Sequence, residues 1–195
     1  MSQKTSKEKQ KKKKIFLIDP GHGGEDPGAI VKGVREKDLN LEISLRLKEE
    51  FEKFSKAFLF ELFFTRLEDQ TLTLQERVQI ENSLKPDFFL SIHCNSFPTD
   101  PEVEGMRIYY YKSGLPFCVY FSGGAKLWQL YEEVSLLKAN FFVLRKTISP
   151  AALLECDFMT NDRARERLQN KAYQETLAKW LLYAFSVFSV SSFLE

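Results

Sequence analysis

Histidine is nearly absent from this chain: 195 residues contain two, His22 and His93. Charge of one sign is lacking as well, since 28 Lys and Arg stand against 27 Asp and Glu for a net charge of +1. That balance removes the bulk electrostatic case for nucleic acid or other acidic polymers as partners. Cysteine is scarce and odd in number, with Cys94, Cys118 and Cys156 and no CxxC spacing, so no disulfide framework is expected. The three read instead as small buried hydrophobes. No apolar run is built to span a bilayer, because the stretch 180–194 is short and interrupted by serine. No apolar segment follows the charges at the N terminus, so no signal peptide is expected, and export would need a signal absent from these residues.

What the chain does have is apolar mass. It is 44% hydrophobic with 18 phenylalanines, enough for one well-buried core and a single domain. Residues 1–14 are polar and end in Lys11-Lys12-Lys13-Lys14, which predicts a disordered lysine-rich tail, solvated or touching anionic lipid. Residues 15–190 form the folded domain. Within it the apolar run Ile15 to Ile18 reads as a buried strand. Strands are also expected at Phe58–Phe64, Phe88–Ile92, Met106–Tyr111, Phe142–Leu144 and Ala151–Glu155. Helices are expected over 36–55, where Leu39, Ile43, Leu47 and Phe51 make a stripe, over 72–84, and over 125–138. Two more helices close the chain, one with Leu177, Trp180, Leu181, Ala184, Phe185 and Phe188 on a single face. The alternation predicts an α/β fold: one domain, a mostly parallel mixed sheet of about six strands, and helices on both faces.

Such sheets collect their sites in the crevice at the carboxyl ends of the strands. Both histidines fall there. Ile18-Asp19-Pro20-Gly21-His22-Gly23-Gly24 turns sharply out of the first strand and puts an imidazole at its tip. Ser91-Ile92-His93-Cys94-Asn95 repeats the arrangement. His22 alone could simply cap a loop, but two histidines, both at strand exits, are the pattern a metal site leaves. Glu36 opens the first long helix, where an acidic residue is favoured in any case. A helix packed beside the first strand would start near His22, however, and two imidazoles with one carboxylate make the open zinc arrangement of hydrolases. Glu155 emerges from the apolar strand Ala151–Glu155, and burial there would raise its pKa toward the range useful for moving protons.

The ordered set of motifs resembles the zinc-dependent N-acetylmuramoyl-L-alanine amidases of bacterial cell-wall remodelling, in the type 3 catalytic domain. The matching pieces are Ile18–Gly24, Glu36, Thr65-Arg66 with Leu74-Gln75-Glu76-Arg77, Ser91–Ser96, Asn140–Arg145 and Pro150–Glu155, covering roughly residues 15–188. The resemblance implies one Zn²⁺ held by His22, Glu36 and His93, with Glu155 as the catalytic carboxylate. It implies hydrolysis of the amide between N-acetylmuramic acid and the L-alanine of the stem peptide, in cell-wall remodelling or cell separation. It also implies a place in the cell envelope, periplasmic or extracellular, with peptidoglycan or muropeptide as substrate. Arg145 matches a family arginine and either meets a substrate carboxylate or packs on the surface. Asn95 is a second substrate-side candidate, or holds the loop after His93 by a side-chain to backbone hydrogen bond. Arg66 and Arg77 read as structural.

Two departures from the family pattern stand out. Cys94 and Cys156 replace small or apolar residues beside the site. The stretch Tyr111 to Asn140 leaves little room for the helix that covers the metal in some regulated members, so a site open without an activator is expected. The alternatives are a zinc peptidase cutting within the stem peptide and a non-catalytic peptidoglycan-binding module.

Overall fold

In the computed structural model, residues 12–191 are described. The strands are Lys14–Pro20 (β1), Ile30–Val31 (β2), Val34–Arg35 (β3), Phe60–Phe64 (β4), Phe88–Asn95 (β5), Arg107–Tyr111 (β6), Ser135–Lys138 (β7) and Ala151–Phe158 (β8). The helices are Glu36–Phe54 (α1), Leu74–Leu84 (α2), Leu115–Leu127 (α3), Phe142–Lys146 (α4), Asp162–Gln169 (α5) and Lys171–Ser191 (α6). Six strands make one sheet in the order β4-β1-β5-β8-β6-β7. Every neighbouring pair is parallel except β6 with β8. The fold is the mostly parallel six-stranded α/β sheet that the alternation predicted. β2 and β3 form a separate two-stranded ribbon leading into α1.

Side chains alternate across a strand, and β1 shows what each face buries. Phe16 and Ile18 join Ile43 and Leu47 of α1, Phe117 and Phe121 of α3, and Trp180 and Phe185 of α6. Leu17 points the other way and meets Val78 of α2 with Val143 and Leu144 of α4. The phenylalanines do fill the core. Phe16 stacks on Phe185 at 4.5 Å between ring centroids, and Phe88 stacks on Phe117 at 3.5 Å. All three cysteines are free and buried.

α2 starts and stops on local chemistry. Thr73 and Glu76 form a reciprocal capping box, and Lys85 takes the left-handed conformation that ends the helix before Pro86. The expected helix over 125–138 is not there. The true helix, α3, lies earlier and ends at Leu127, and Gln129 at φ 55° turns the chain out of it. Ser135–Lys138 then becomes β7, zipped parallel to β6. Gly123-Gly124 hid the helix from its apolar spacing. Gly124 is needed because a Cβ there would lie 2.9 Å from the indole nitrogen of Trp180. The expected strand Phe142–Leu144 is also corrected. It is the short helix α4, closed by Leu144 and Arg145 N–H groups donating to the Phe141 carbonyl. Both neighbours of β8 are already taken, by β5 and β6, so this segment cannot pair with the strand it leads into.

β1 begins at Lys14, the last residue of the expected tail, and residues 1–11 of that tail lie outside the described residues. Among the described residues no helix is long and apolar enough to cross a membrane.

Candidate metal centre

The loop carrying His22 is held from below by buried charge. Asp19, 1% exposed, accepts from Arg77 Nη1 at 2.6 Å, Thr65 Oγ1 at 2.6 Å and Ser91 Oγ at 2.8 Å. Arg77 also donates to the carbonyls of Pro20 and His22, while Arg66 donates to those of Pro20, Gly21 and Lys37. Both arginines are thus structural. They satisfy the carbonyls of a turn in which His22 itself sits at φ 58°, a conformation that ordinary side chains seldom adopt. Arg77→Ala would leave Asp19 as an uncompensated buried charge. We expect it to cost about 3–5 kcal/mol and to lower Tm by about 10 °C, read by thermal denaturation.

α1 aims Glu36 at that loop from one side and β5 delivers His93 from beneath. His22 Nε2 lies 3.1 Å from Glu36 Oε2, and His93 Nδ1 lies 2.8 Å from Glu36 Oε1. One potential ligand atom from each of the three falls within 4.8 Å of the others. The rings stand nearly perpendicular at 81°, with centroids 5.0 Å apart. Glycines make the room. A Cβ on Gly21 would sit 2.2 Å from the His93 ring, and one on Gly28 would sit 2.7 Å from both Glu36 Oε2 and the His22 ring. Glu36 is further held by backbone N–H groups of Ala29 at 3.0 Å and Cys94 at 3.3 Å.

Composition and spacing did not single out Asp26. Its carboxylate lies 2.7 Å from His22 Nδ1, which leaves Nε2 as the nitrogen that faces Glu36 and His93. Its signal was present in the short spacing His22-Gly23-Gly24-Glu25-Asp26, because a carboxylate one tight turn away can orient a ligand imidazole. Asn40, one turn into α1, was also missed. Its Nδ2 reaches the Gly21 carbonyl at 3.2 Å and Glu36 Oε1 at 3.4 Å.

Burial works against a charge on His22, but Glu36 and then Asp26 outweigh it and raise its pKa to about 9. Burial likewise opposes charge on Glu36, and the two imidazoles overcome it and hold the carboxyl well below its usual range. A cation has to displace the His22 proton before it can use Nε2. Apparent metal affinity should therefore climb with pH until His22 has titrated near 9, which competition with a zinc indicator would measure. In the stripped protein the sign reverses. A raised imidazole pKa stabilises the fold below its unfolded value of 6.5, and that contribution is lost as pH rises through about 9.

Glu155 is paired in register with His93 on β5 and with Arg107 on β6. Its Oε2 is enclosed and has no hydrogen-bond partner among the described residues. Burial pushes its carboxyl up; the His93 charge opposes this, Glu36 adds to it, and the pKa settles at about 7. Glu155, His22 and His93 line one cleft of about 470 Å³, whose apolar wall includes Leu72, Leu74, Phe141 and Phe142. No α3 residue lines it; α3 packs on α6 instead. The four principal candidates therefore converge, whereas the two substrate-side candidates stand apart. Arg145 is exposed on α4, 5.9 Å from the Phe142 ring centroid, and does not line the cleft. Asn95 accepts from the Ser96 N–H at 2.8 Å, the loop-holding bond expected of it.

An enclosed, unpaired carboxyl beside a His-Glu-His cluster, at the carboxyl ends of a parallel sheet, has the form of a metallohydrolase centre. The chain belongs to the N-acetylmuramoyl-L-alanine amidase family, whose sequence profile matches residues 16–185. It is 34% identical over 180 residues to the N-acetylmuramoyl-L-alanine amidase CwlM of Bacillus licheniformis, covering 85% of this chain and 64% of that protein. With the sporulation-specific N-acetylmuramoyl-L-alanine amidase of Bacillus subtilis strain 168 it shares 37% identity over 174 residues, with the same coverages of 85% and 64%. The chain thus spans somewhat less than two thirds of the length of these relatives. Among solved structures it is similar to the CwlD amidase of Clostridioides difficile, described in complex with the GerS lipoprotein. The TM-score is 0.80 at 26% identity, covering 92% of this chain and 99% of that one.

Proposed function

We propose that residues 15–190 are a catalytic domain that hydrolyses the amide joining N-acetylmuramic acid to the L-alanine of peptidoglycan stem peptides. In this reading His22, Glu36 and His93 hold one zinc ion and Glu155 moves the proton. The donor set fits the metal: two imidazoles, one of them oriented by Asp26, and one carboxylate converge from three elements, leaving a side open to the cleft. When bound, zinc would supply a Lewis acid that makes a water ionise near neutral pH and polarises an amide carbonyl.

The observation that carries the proposal is Glu155 Oε2, buried and unpartnered beside the cluster. A carboxyl with a pKa of about 7 can take a proton from the attacking water and return it to the departing alanine nitrogen. β8 fixes its position, and the apolar wall limits competing water. Arg145 and Asn95 are carried as substrate-side residues on family resemblance, with Arg145 able to reach only a part of the substrate that extends beyond the cleft.

In this reading the work is done in the cell envelope, in wall remodelling or cell separation, which the substrate class supports. A lipoprotein partner is described for CwlD, and an activator of this chain would be a parallel case. With no α3 residue over the cleft, however, we expect the purified chain to cut muropeptides unaided. The test is mass spectrometry of muropeptides after incubation with the zinc-loaded protein. Intact stem peptides and bare glycan support the amidase. Free amino acids or short peptides would make it a zinc peptidase, and bound zinc without turnover would leave a peptidoglycan-binding module.

A further inference from the structure

β4, β1, β5 and β8 all start, and β6 and β7 both end, at the end of the sheet opposite the His-Glu cluster, and the surface there has its own composition. Crossing it in sheet order, the chain presents Leu59 before β4, Lys12 and Lys13 before β1, Lys85 before β5, Ile148 before β8, and Lys112 with Leu115 after β6. Two helices end there as well. α1 finishes at Lys53-Phe54, and α6 brings Phe188 against Phe16 and Phe117, with Val190 two residues further on. Phe54 and Ile148 are 60% and 61% exposed, and Leu59, Leu115 and Val190 are exposed too.

The charges among these apolar side chains are one-sided. Asp87, Glu50 and Glu52 are matched by Lys14, Lys53 and Lys48 at 2.9, 2.5 and 2.5 Å. Glu81 is taken by the backbone N–H groups of Ile148 and Ser149, and Glu61 on β4 is exposed. Lys12, Lys13, Lys56, Lys85 and Lys146 are exposed and have no ion pair among the described residues. The sequence adds Lys4, Lys7, Lys9 and Lys11 immediately upstream, against the single acidic residue Glu8.

We propose that this end of the molecule docks on an anionic phospholipid bilayer. Protruding apolar side chains can enter the acyl boundary while lysine stems lie along it and their ammonium groups meet lipid phosphates. The catalytic cluster lies far from that contact, since Phe88 to His93 spans about 17 Å of extended strand. Docking would therefore hold the cleft away from the bilayer and toward the wall, a consequence that rests on the amidase reading; lipid binding itself does not.

The experiment is co-sedimentation of the full chain with vesicles of roughly 30 mol% phosphatidylglycerol in phosphatidylcholine, against phosphatidylcholine alone. We expect at least about tenfold preference for the anionic vesicles in about 0.1 M salt, shrinking toward about 0.5 M. Lys85→Glu, Lys112→Glu and Lys146→Glu together should remove the preference, with Lys→Gln at the same positions if the charge-reversed chain fails to fold. Leu115→Ser with Ile148→Ser should weaken the binding that survives salt, and all these variants should cleave soluble muropeptides as the parent does. Equal binding to both vesicles, or anionic preference untouched by either set of variants, would overturn the proposal. So would sedimentation velocity showing that the same substitutions dissolve a dimer of this chain. If the parent binds anionic vesicles but cleaves no muropeptide, docking stands and the amidase reading fails.

Discussion

Glu155→Gln is expected to bind zinc at unit stoichiometry and to lose about 10²–10⁴ in kcat on muropeptides. Glutamine keeps the shape and the apolar enclosure of the side chain but cannot accept a proton. The buried Oε2 has no partner among the described residues, so the substitution breaks no hydrogen bond with them at that atom. Thermal stability should hold or rise slightly, because a carboxyl whose pKa burial raises to about 7 disfavours folding once ionised. The pH profile separates catalysis from a packing role. The parent should gain activity as Glu155 ionises through about 7, and the variant's residual rate should lack that limb. Equal rates for parent and variant would remove Glu155 from the mechanism.

His93→Ala should lose zinc and activity together, since it removes one of three converging donors. Gly21→Ala is the sharper form of the same prediction. It keeps every ligand, yet its methyl would fall 2.2 Å from the His93 ring and force either the ring or the loop to move. A displacement of about 1 Å is enough to cost about 10²-fold in kcat/KM. Zinc titration beside kinetics distinguishes loss of the ion from misalignment around it, and unaltered zinc affinity with unaltered rate would show that neither position matters to the centre.

These expectations grew from a site that was largely legible in the chain. With two histidines to choose from, both at strand exits, the imidazoles could hardly be misassigned. Glu36 and Glu155 were harder. One has an ordinary place in a helix's first turn, and the other is visible only as a carboxylate closing an apolar strand. Asp26 escaped because its role is orientation: a carboxylate four residues beyond His22 is a weak signal until the turn is seen to fold it back on the imidazole, while Asp19 lies buried beneath the same turn and holds Arg77. The substrate-side residues were least legible. Arg145 shares a local motif with the cleft-lining Phe142, but only the geometry of α4 shows that its side chain leaves the cleft.

The two misread elements have a common cause. Apolar periodicity reports which side chains want burial, and it is silent on which backbone edges remain open. Leu127, Leu130, Tyr131, Val134 and Leu137 fit a helical stripe, yet β6 had a free edge and Ser135–Lys138 took it. Phe142–Leu144 is as apolar as a strand, but β8 was paired on both sides and the segment coiled into α4.

The sequence by itself determined the class of sheet, the buried strands and the two imidazoles, because those follow from composition and local pattern, while Glu36 and Glu155 were carried by the order of the family motifs. Tertiary structure alone decided which strands share an edge, which nitrogen of His22 faces inward, and that Glu155 keeps an unpaired oxygen. Each of these depends on groups brought together from distant parts of the chain, where desolvation and competition for hydrogen-bond partners act only after packing.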